Sequence, residues 1–140
     1  MEDSSNTPLL RKLGVKPGDT VWLRHAPLSF SFTAPSGVTV RRRRGAAPDV
    51  VFAFYTRSSA LDREIEELAR AVFPSASLWV AWPKGTSGVA TDLSDQVVRA
   101  TALPLGLVDN KVCAIDDTWS GLRLVWRVSR RGTAPPVVRP

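Results

Sequence analysis

Leu78-Trp-Val-Ala-Trp-Pro-Lys-Gly-Thr-Ser-Gly-Val-Ala-Thr-Asp-Leu93 is the stretch on which the fold turns. Leu78 to Trp82 is apolar without alternation, the pattern of a strand covered on both faces. Pro83 ends the run, and a polar loop containing Gly85 and Gly88 follows. Beyond it, Ser94 to Leu105 reads as a helix with Leu93, Val97 and Ala100 on one face and Gly106 as its stop. A buried strand passing through a polar loop into an amphipathic helix is the repeating element of an α/β sheet.

The same grammar extends in both directions. Toward the amino terminus, Asp49 to Tyr55 is a second near-continuous apolar run. Leu61, Ile65, Leu68 and Val72 then recur at helical spacing up to Pro74, and Ser59-Ala-Leu-Asp62 has the spacing of a capping box with Asp62 in place of Glu or Gln. Thr20 to His25 and Val38 to Val40 read as strands, Leu28 to Ser36 as a loop or one short turn, and Thr7 to Leu13 as a two-turn helix stopped by Gly14. Toward the carboxyl terminus, Leu107 to Ile115 and Leu122 to Val128 read as two strands joined by the turn Asp116 to Gly121. The order predicts an α/β protein: one Rossmann-like, three-layer domain over residues 1–129, with a mostly parallel sheet and a C-terminal antiparallel hairpin. Residues 130–140 read as a basic, proline-containing disordered tail.

A chain of 140 residues is long enough to bury one core without staples. Its single cysteine, Cys113, lies in an apolar run and is expected in the core, since one thiol makes neither an intrachain disulfide nor a zinc site. The acidic, polar start Met1-Glu-Asp-Ser-Ser5 has no apolar segment behind it, which predicts a cytoplasmic protein without a membrane partner. Formal net charge is +6, yet Arg41 to Arg44 supply four positive charges and Arg130, Arg131 and Arg139 three more. The basic excess is therefore local, and nucleic acid is not the expected partner.

In a parallel sheet the loops after the strands converge on one edge, where ligands bind. Those loops carry His25, Thr56 to Ser59, Lys84 to Asp92 and Asp116 to Ser120. Lys84, Gly85, Thr86, Ser87, Gly88, Thr91 and Asp92 have the parts of an anion site: charge, hydroxyls, glycines for close backbone approach, and a helix amino terminus. The lysine precedes the glycines, so this is not a P-loop, and the same residues also make an ordinary strand-to-helix connection capped by Thr91, Asp92 or Ser94. Arg57, Asp116, Trp119 and Ser120 complete the candidate ligand set. Asp116 and Asp117 project to opposite sides of an extended chain, which favours turn stabilisation over shared proton chemistry. Trp119 either packs on a neighbouring loop or stacks on a ligand. His25 is the only histidine, which leaves room for one general base but for no triad or multi-histidine metal site. No catalytic residue, metal or cofactor is assigned, and the expected partner is a small anionic ligand.

Three stretches, Thr7 to Gly18, Leu78 to Leu93 and Gly106 to Arg123, resemble a family of short bacterial proteins catalogued as a domain of unknown function. That resemblance implies a fold and no activity. The strand order is also similar to that of the class I S-adenosylmethionine-dependent methyltransferases, which end in an antiparallel hairpin. Those enzymes carry a glycine-rich loop after the first strand and an acidic residue at the end of the second. Here those places hold Leu23-Arg-His-Ala-Pro-Leu28 and Val40-Arg-Arg-Arg-Arg44, and guanidinium groups cannot accept the ribose hydroxyls. The expectation is a non-catalytic binding or regulatory module with a small-anion pocket at the carboxyl edge. The alternatives are a divergent methyltransferase-like transferase and nucleic-acid binding through Arg41 to Arg44.

Overall fold

The structure is a computed structural model that describes residues 13–28, 30, 37–43, 45 and 47–132. Among them, six strands form one sheet: β1 (Thr20–Arg24), β2 (Thr39–Arg41), β3 (Val50–Phe54), β4 (Ser77–Pro83), β5 (Leu107–Ala114) and β6 (Trp119–Trp126), in the order β2-β1-β3-β4-β6-β5. The first four pair in parallel, while β6 runs antiparallel to both β4 and β5. Two helices, α1 (Ser58–Ala71) and α2 (Asp95–Ala102), follow β3 and β4. The expected helix at Thr7 to Leu13, except Leu13 itself, and most of the Leu28 to Ser36 segment lie outside the described residues.

Alternation along the strands divides the core into two. Trp22, Val51, Ala53, Leu78, Val80, Leu122, Leu124 and Trp126 face one way and are covered by Leu61, Ile65 and Leu68 of α1, its C-cap residue Val72, and Val98 and Ala102 of α2. Val21, Leu23, Val50, Phe52, Phe54, Trp79 and Ala81 face the other way, under Leu13, Val15, Phe30 and Ile115. Both helices of the described residues thus lie on one face, and the opposite face is covered by shorter segments. Every residue of β3 and β4 is buried, as their unbroken apolar runs require. Two tryptophans also tie distant segments to the sheet, because a buried indole N–H needs an acceptor. Trp79 Nε1 donates to the Leu13 carbonyl at 2.8 Å and Trp126 Nε1 to the Ala69 carbonyl at 2.9 Å.

Several sequence expectations are corrected. The Ser59 to Asp62 capping box does not form: Arg57 is the N-cap residue of α1 and makes no side-chain cap bond. Its role is taken by Asp92 from another loop, for the reason given below. The second helix ends at Ala102 and tightens into a 3-10 turn over Leu103–Leu105 before Gly106. Ser94 is its cap, with Oγ accepting from Val97 N at 3.2 Å. Cys113 is half-buried rather than enclosed, because the outer strand β5 has one face open. The hairpin turn is shorter than expected, since Trp119, Ser120 and Gly121 already belong to β6 and pair with Pro83, Trp82 and Ala81.

Gly121 explains why a glycine sits inside a strand. A Cβ there would lie 2.7 Å from Ile115 Cδ1 and 3.0 Å from Trp79 Cε3, so the ring of Trp79 lies flat against bare backbone. Gly121→Ala is therefore expected to overpack this face and to cost roughly 1–3 kcal/mol, seen as a lower urea midpoint at unchanged m value. A midpoint equal to that of the parent would show that Trp79 and Ile115 relax freely.

Candidate functional site

From β1 the chain moves outward to β2, whereas from β3 it moves the other way to β4, so the crevice at the carboxyl ends of β1 and β3 is the point where the winding reverses. Ligands of open α/β sheets bind at such points. Here the crevice carries Arg24 and His25 from the end of β1 and Tyr55 and Thr56 from the end of β3. The first turns of α1 contribute Glu64 and Glu67.

Glu64 is the centre of this group. Its Oε1 accepts from Tyr55 Oη at 2.6 Å and from Arg24 Nε at 3.1 Å. His25 Nε2 lies 3.0 Å from Oε1 and 3.2 Å from Oε2. Arg24 also reaches Glu67 through its other nitrogen at 3.6 Å. Burial pushes the Glu64 carboxyl up, but the hydrogen bonds from Arg24, Tyr55 and His25 more than offset it and bring it down to about 2. Burial, and then the Glu64 carboxylate, push the Tyr55 phenol well above its ordinary range. An ionised carboxylate only accepts, so His25 Nε2 donates to Glu64, and Nδ1 has no hydrogen-bond partner among the described residues. The His25 side chain is half exposed, and its ring meets Tyr55 edge-on at 5.5 Å.

The backbone of His25 has φ 60°, making it the only non-glycine residue in the left-handed region among the described residues. Such a conformation costs a residue with a Cβ roughly 1 kcal/mol or more and persists where surrounding bonds over-determine it. Here the bonds to Glu64 are those restraints. The sequence alone places His25 at a strand end but gives no means of pairing it with residues 30 to 39 positions away. The available signal was Glu64 and Glu67 at i, i+3 on a helix that must cross over β1.

The residues singled out from the sequence fall into two groups along the same edge. Arg57, Thr91 and Asp92 line, with Thr56 and Ala90, a cavity of about 240 Å³. Asp92 accepts from Ser58 N at 2.7 Å and from Ser58 Oγ at 2.8 Å, and Thr91 Oγ1 donates to the Thr56 carbonyl at 2.7 Å. The Lys84 to Asp92 loop is thereby locked to the loop after β3, and Asp92 provides the negative charge that the amino terminus of α1 favours. The backbone and hydroxyl of Ser58 hold the Asp92 carboxyl below its ordinary range. Lys84 and Trp119 meet at the same edge, where Lys84 N donates to the Thr118 carbonyl at 2.8 Å and Pro83 pairs with Trp119.

Much of the polar equipment of these loops serves local structure. Gly85–Ser87 form a 3-10 turn ending at Gly88, with Ser87 Oγ donating to the Lys84 carbonyl. Asp116 Oδ1 accepts from both Thr118 N and Trp119 N at 2.8 Å, which is the turn-stabilising role expected for it. Trp119 packs edge-on against Phe54 at 5.1 Å and is half-buried, so it packs down on a neighbour. Lys84, Thr86, Arg57 and Ser120 keep side-chain polar atoms without hydrogen-bond partners among the described residues.

No family model and no curated protein matches this chain. Among solved structures, it is similar to a SAM-dependent methyltransferase from Aquifex aeolicus, with a TM-score of 0.62 at 13% identity over 85% of this chain and 88% of that one. Likeness at such identity shows a methyltransferase-like α/β fold and nothing about activity. The residues at the cofactor positions of that fold do not fit S-adenosylmethionine in its usual mode. After β1 stands a histidine whose side chain is bonded to Glu64, and β2 ends in Arg41, with Arg42 NH1 turned back to the Ala26 carbonyl at 3.2 Å. No helix among the described residues is long and apolar enough to cross a membrane.

The low Glu64 pKa has a definite consequence for stability. A carboxyl depressed in the folded state stabilises fully above its unfolded value near 4.5, and that contribution disappears as pH falls toward about 2. Glu64→Gln is expected to be less stable at neutral pH, because Arg24 loses its main carboxylate, and to show a shallower decline between these two pH values. Urea titrations across that range read both effects. An unchanged decline in the variant would assign the acid sensitivity to other carboxyls.

Proposed function

We propose that this chain is a non-catalytic binding or regulatory module that takes a small anionic ligand at the carboxyl edge of its sheet. The observation that carries the reading is His25, held in a left-handed conformation on an ionised Glu64 at the reversal point of the winding. Strain on a non-glycine residue at a ligand-binding crevice points to a role for its side chain. In this reading His25 Nδ1 accepts a hydrogen bond from a hydroxyl or amine of the ligand, apart from its anionic group. Arg57 and Lys84, on the next two strand-end loops, supply the positive charge, with Thr86 and Ser120 as further hydroxyl partners. The lock between Thr56–Ser58 and Thr91–Asp92 supports preorganisation, since it holds these loops in place before any ligand arrives.

A second reading, a divergent transferase, is favoured by one feature. A carboxylate that orients an imidazole is the arrangement by which a general base is positioned. In that reading Nδ1 of His25 would take a proton from a bound nucleophile while Glu64 and Tyr55 keep the ring in place.

A thermal-shift screen with S-adenosylmethionine and the unphosphorylated hydroxy acids citrate, malate and gluconate separates the two. His25→Asn is the diagnostic variant, because asparagine tolerates positive φ and leaves the fold intact. The binding reading expects at least one of the small anions to raise Tm, the rise to vanish in His25→Asn and in Arg57→Gln, and S-adenosylmethionine to have no effect. A rise with S-adenosylmethionine that depends on His25 would establish the transferase reading in its place. No rise with any of the small anions would remove support from the carboxyl-edge site.

A further inference from the structure

A second cavity lies at the opposite edge of the sheet, between the outer strand β2, the loop that follows it and the last turn of α1. It encloses about 270 Å³ and is lined by Thr20, Trp22, Arg41, Arg43, Arg70 and Phe73, with Gly45, Ala47, Pro48 and Ala71 closing the rest. Three arginines line it and, among the described residues, no acidic residue does. None of the three makes an ion pair or a side-chain hydrogen bond among the described residues. All three side chains are exposed, and together they give one concave surface a positive potential that favours an anion.

An independent feature points the same way. Trp22 is 3% exposed and its indole Nε1–H has no hydrogen-bond partner. A buried donor left unpaired costs about 1–3 kcal/mol, and the other two fully enclosed tryptophans of this fold do find carbonyl acceptors. Trp22 differs from them in standing on the wall of the arginine cavity. The Arg24 guanidinium lies over its ring, 5.4 Å from the centroid, and is itself held by Glu64 and Glu67, so the indole is fixed in place.

We propose that this cavity is a phosphate site, in which the guanidinium groups of Arg41, Arg43 and Arg70 bind the phosphoryl oxygens of a small phosphorylated molecule, and a shift of these exposed side chains opens the enclosed, unpaired Trp22 indole N–H to the same oxygens. Arginine forks match tetrahedral oxyanions in paired hydrogen bonds, and an indole N–H donates to the same acceptors without needing a counter-charge. The volume lies just below the ~300–1,000 Å³ of pockets that enclose drug-sized ligands, which suits a phosphate or pyrophosphate group with a short appendage. The site is distinct from the carboxyl-edge crevice and does not rest on it.

Sodium pyrophosphate is the probe, used on the full chain at about 0.15 M salt so that loose surface charge is screened. In ¹H–¹⁵N NMR the five tryptophans give five indole signals, and Trp22→Phe identifies the one that belongs to Trp22 by its loss. The expected result is saturable movement of that signal with pyrophosphate. Calorimetry is expected to show one site whose affinity falls about tenfold in Arg70→Gln and in Arg41→Gln/Arg43→Gln, and about fivefold in Trp22→Phe. Inorganic phosphate and a single-stranded oligonucleotide form the comparison arms. Absence of saturable binding up to about 10 mM pyrophosphate overturns the proposal. So does parental affinity in Arg70→Gln, or tight oligonucleotide binding with no pyrophosphate binding, which would mark the arginines as a solvated nucleic-acid face.

Discussion

Burial of β3 and β4 on both faces is the constraint from which the rest of this molecule follows. Two adjacent parallel strands with no exposed residue need cover above and below. On one side α1 and α2 supply it, and on the other the Leu13–Val15 segment, Phe30 and Ile115 do. Trp79 and Trp126 then convert cover into attachment, each hydrogen-bonding a backbone carbonyl far away in sequence. Once the central strands and their cover are in place, the outer strands have little freedom left. Gly121 must be bare because Trp79 lies over it, and β6 must begin at Trp119 because the ladder with β4 extends to Pro83.

That framework also creates two chemically different edges. At the carboxyl edge the reversal of winding between β1 and β3 opens a crevice, and the strand ends fill it with a network centred on one carboxylate. Glu64 is kept ionised by three donors, and the same bonds keep His25 in a conformation it would otherwise leave. Next to it, Asp92 joins the loops after β3 and β4, and its carboxylate takes the place at the amino terminus of α1 that a bound anion would otherwise fill. At the amino edge the pattern is reversed: arginines without partners surround a cavity, and the donor on its wall is unpaired. One edge has its electrostatics satisfied from within, and the other does not.

How much of this was legible in the sequence depended on the range of the interaction. The apolar runs at Leu78 to Trp82 and Val50 to Phe54 and the helical spacing of Leu61, Ile65, Leu68 and Val72 reflect local periodicity, and they located the strands and helices to within a few residues. Asp116 was correctly read as a turn residue for the same reason, since its bonds reach only two and three positions ahead. Ser59 and Asp62 misled because a capping box is a local pattern, whereas the actual cap of α1 comes from Asp92, more than thirty positions away.

The sequence by itself determined the α/β class, the two-sided burial of the central strands, the edge at which the loops after the parallel strands gather, and the concentration of positive charge at Arg41 to Arg44. Each of these follows from composition or from a repeat of two or 3.6 residues, which a single chain displays directly. Only the tertiary structure decided that both described helices share one face, that His25 meets Glu64 and Tyr55, and that Trp22 lines one cavity with arginines from β2, the loop after it and α1. Those are pairings between segments whose separation in sequence bears no relation to their separation in space. Their energetics, from the depressed Glu64 carboxyl to the unpaired indole, exist only after the sheet has brought them together.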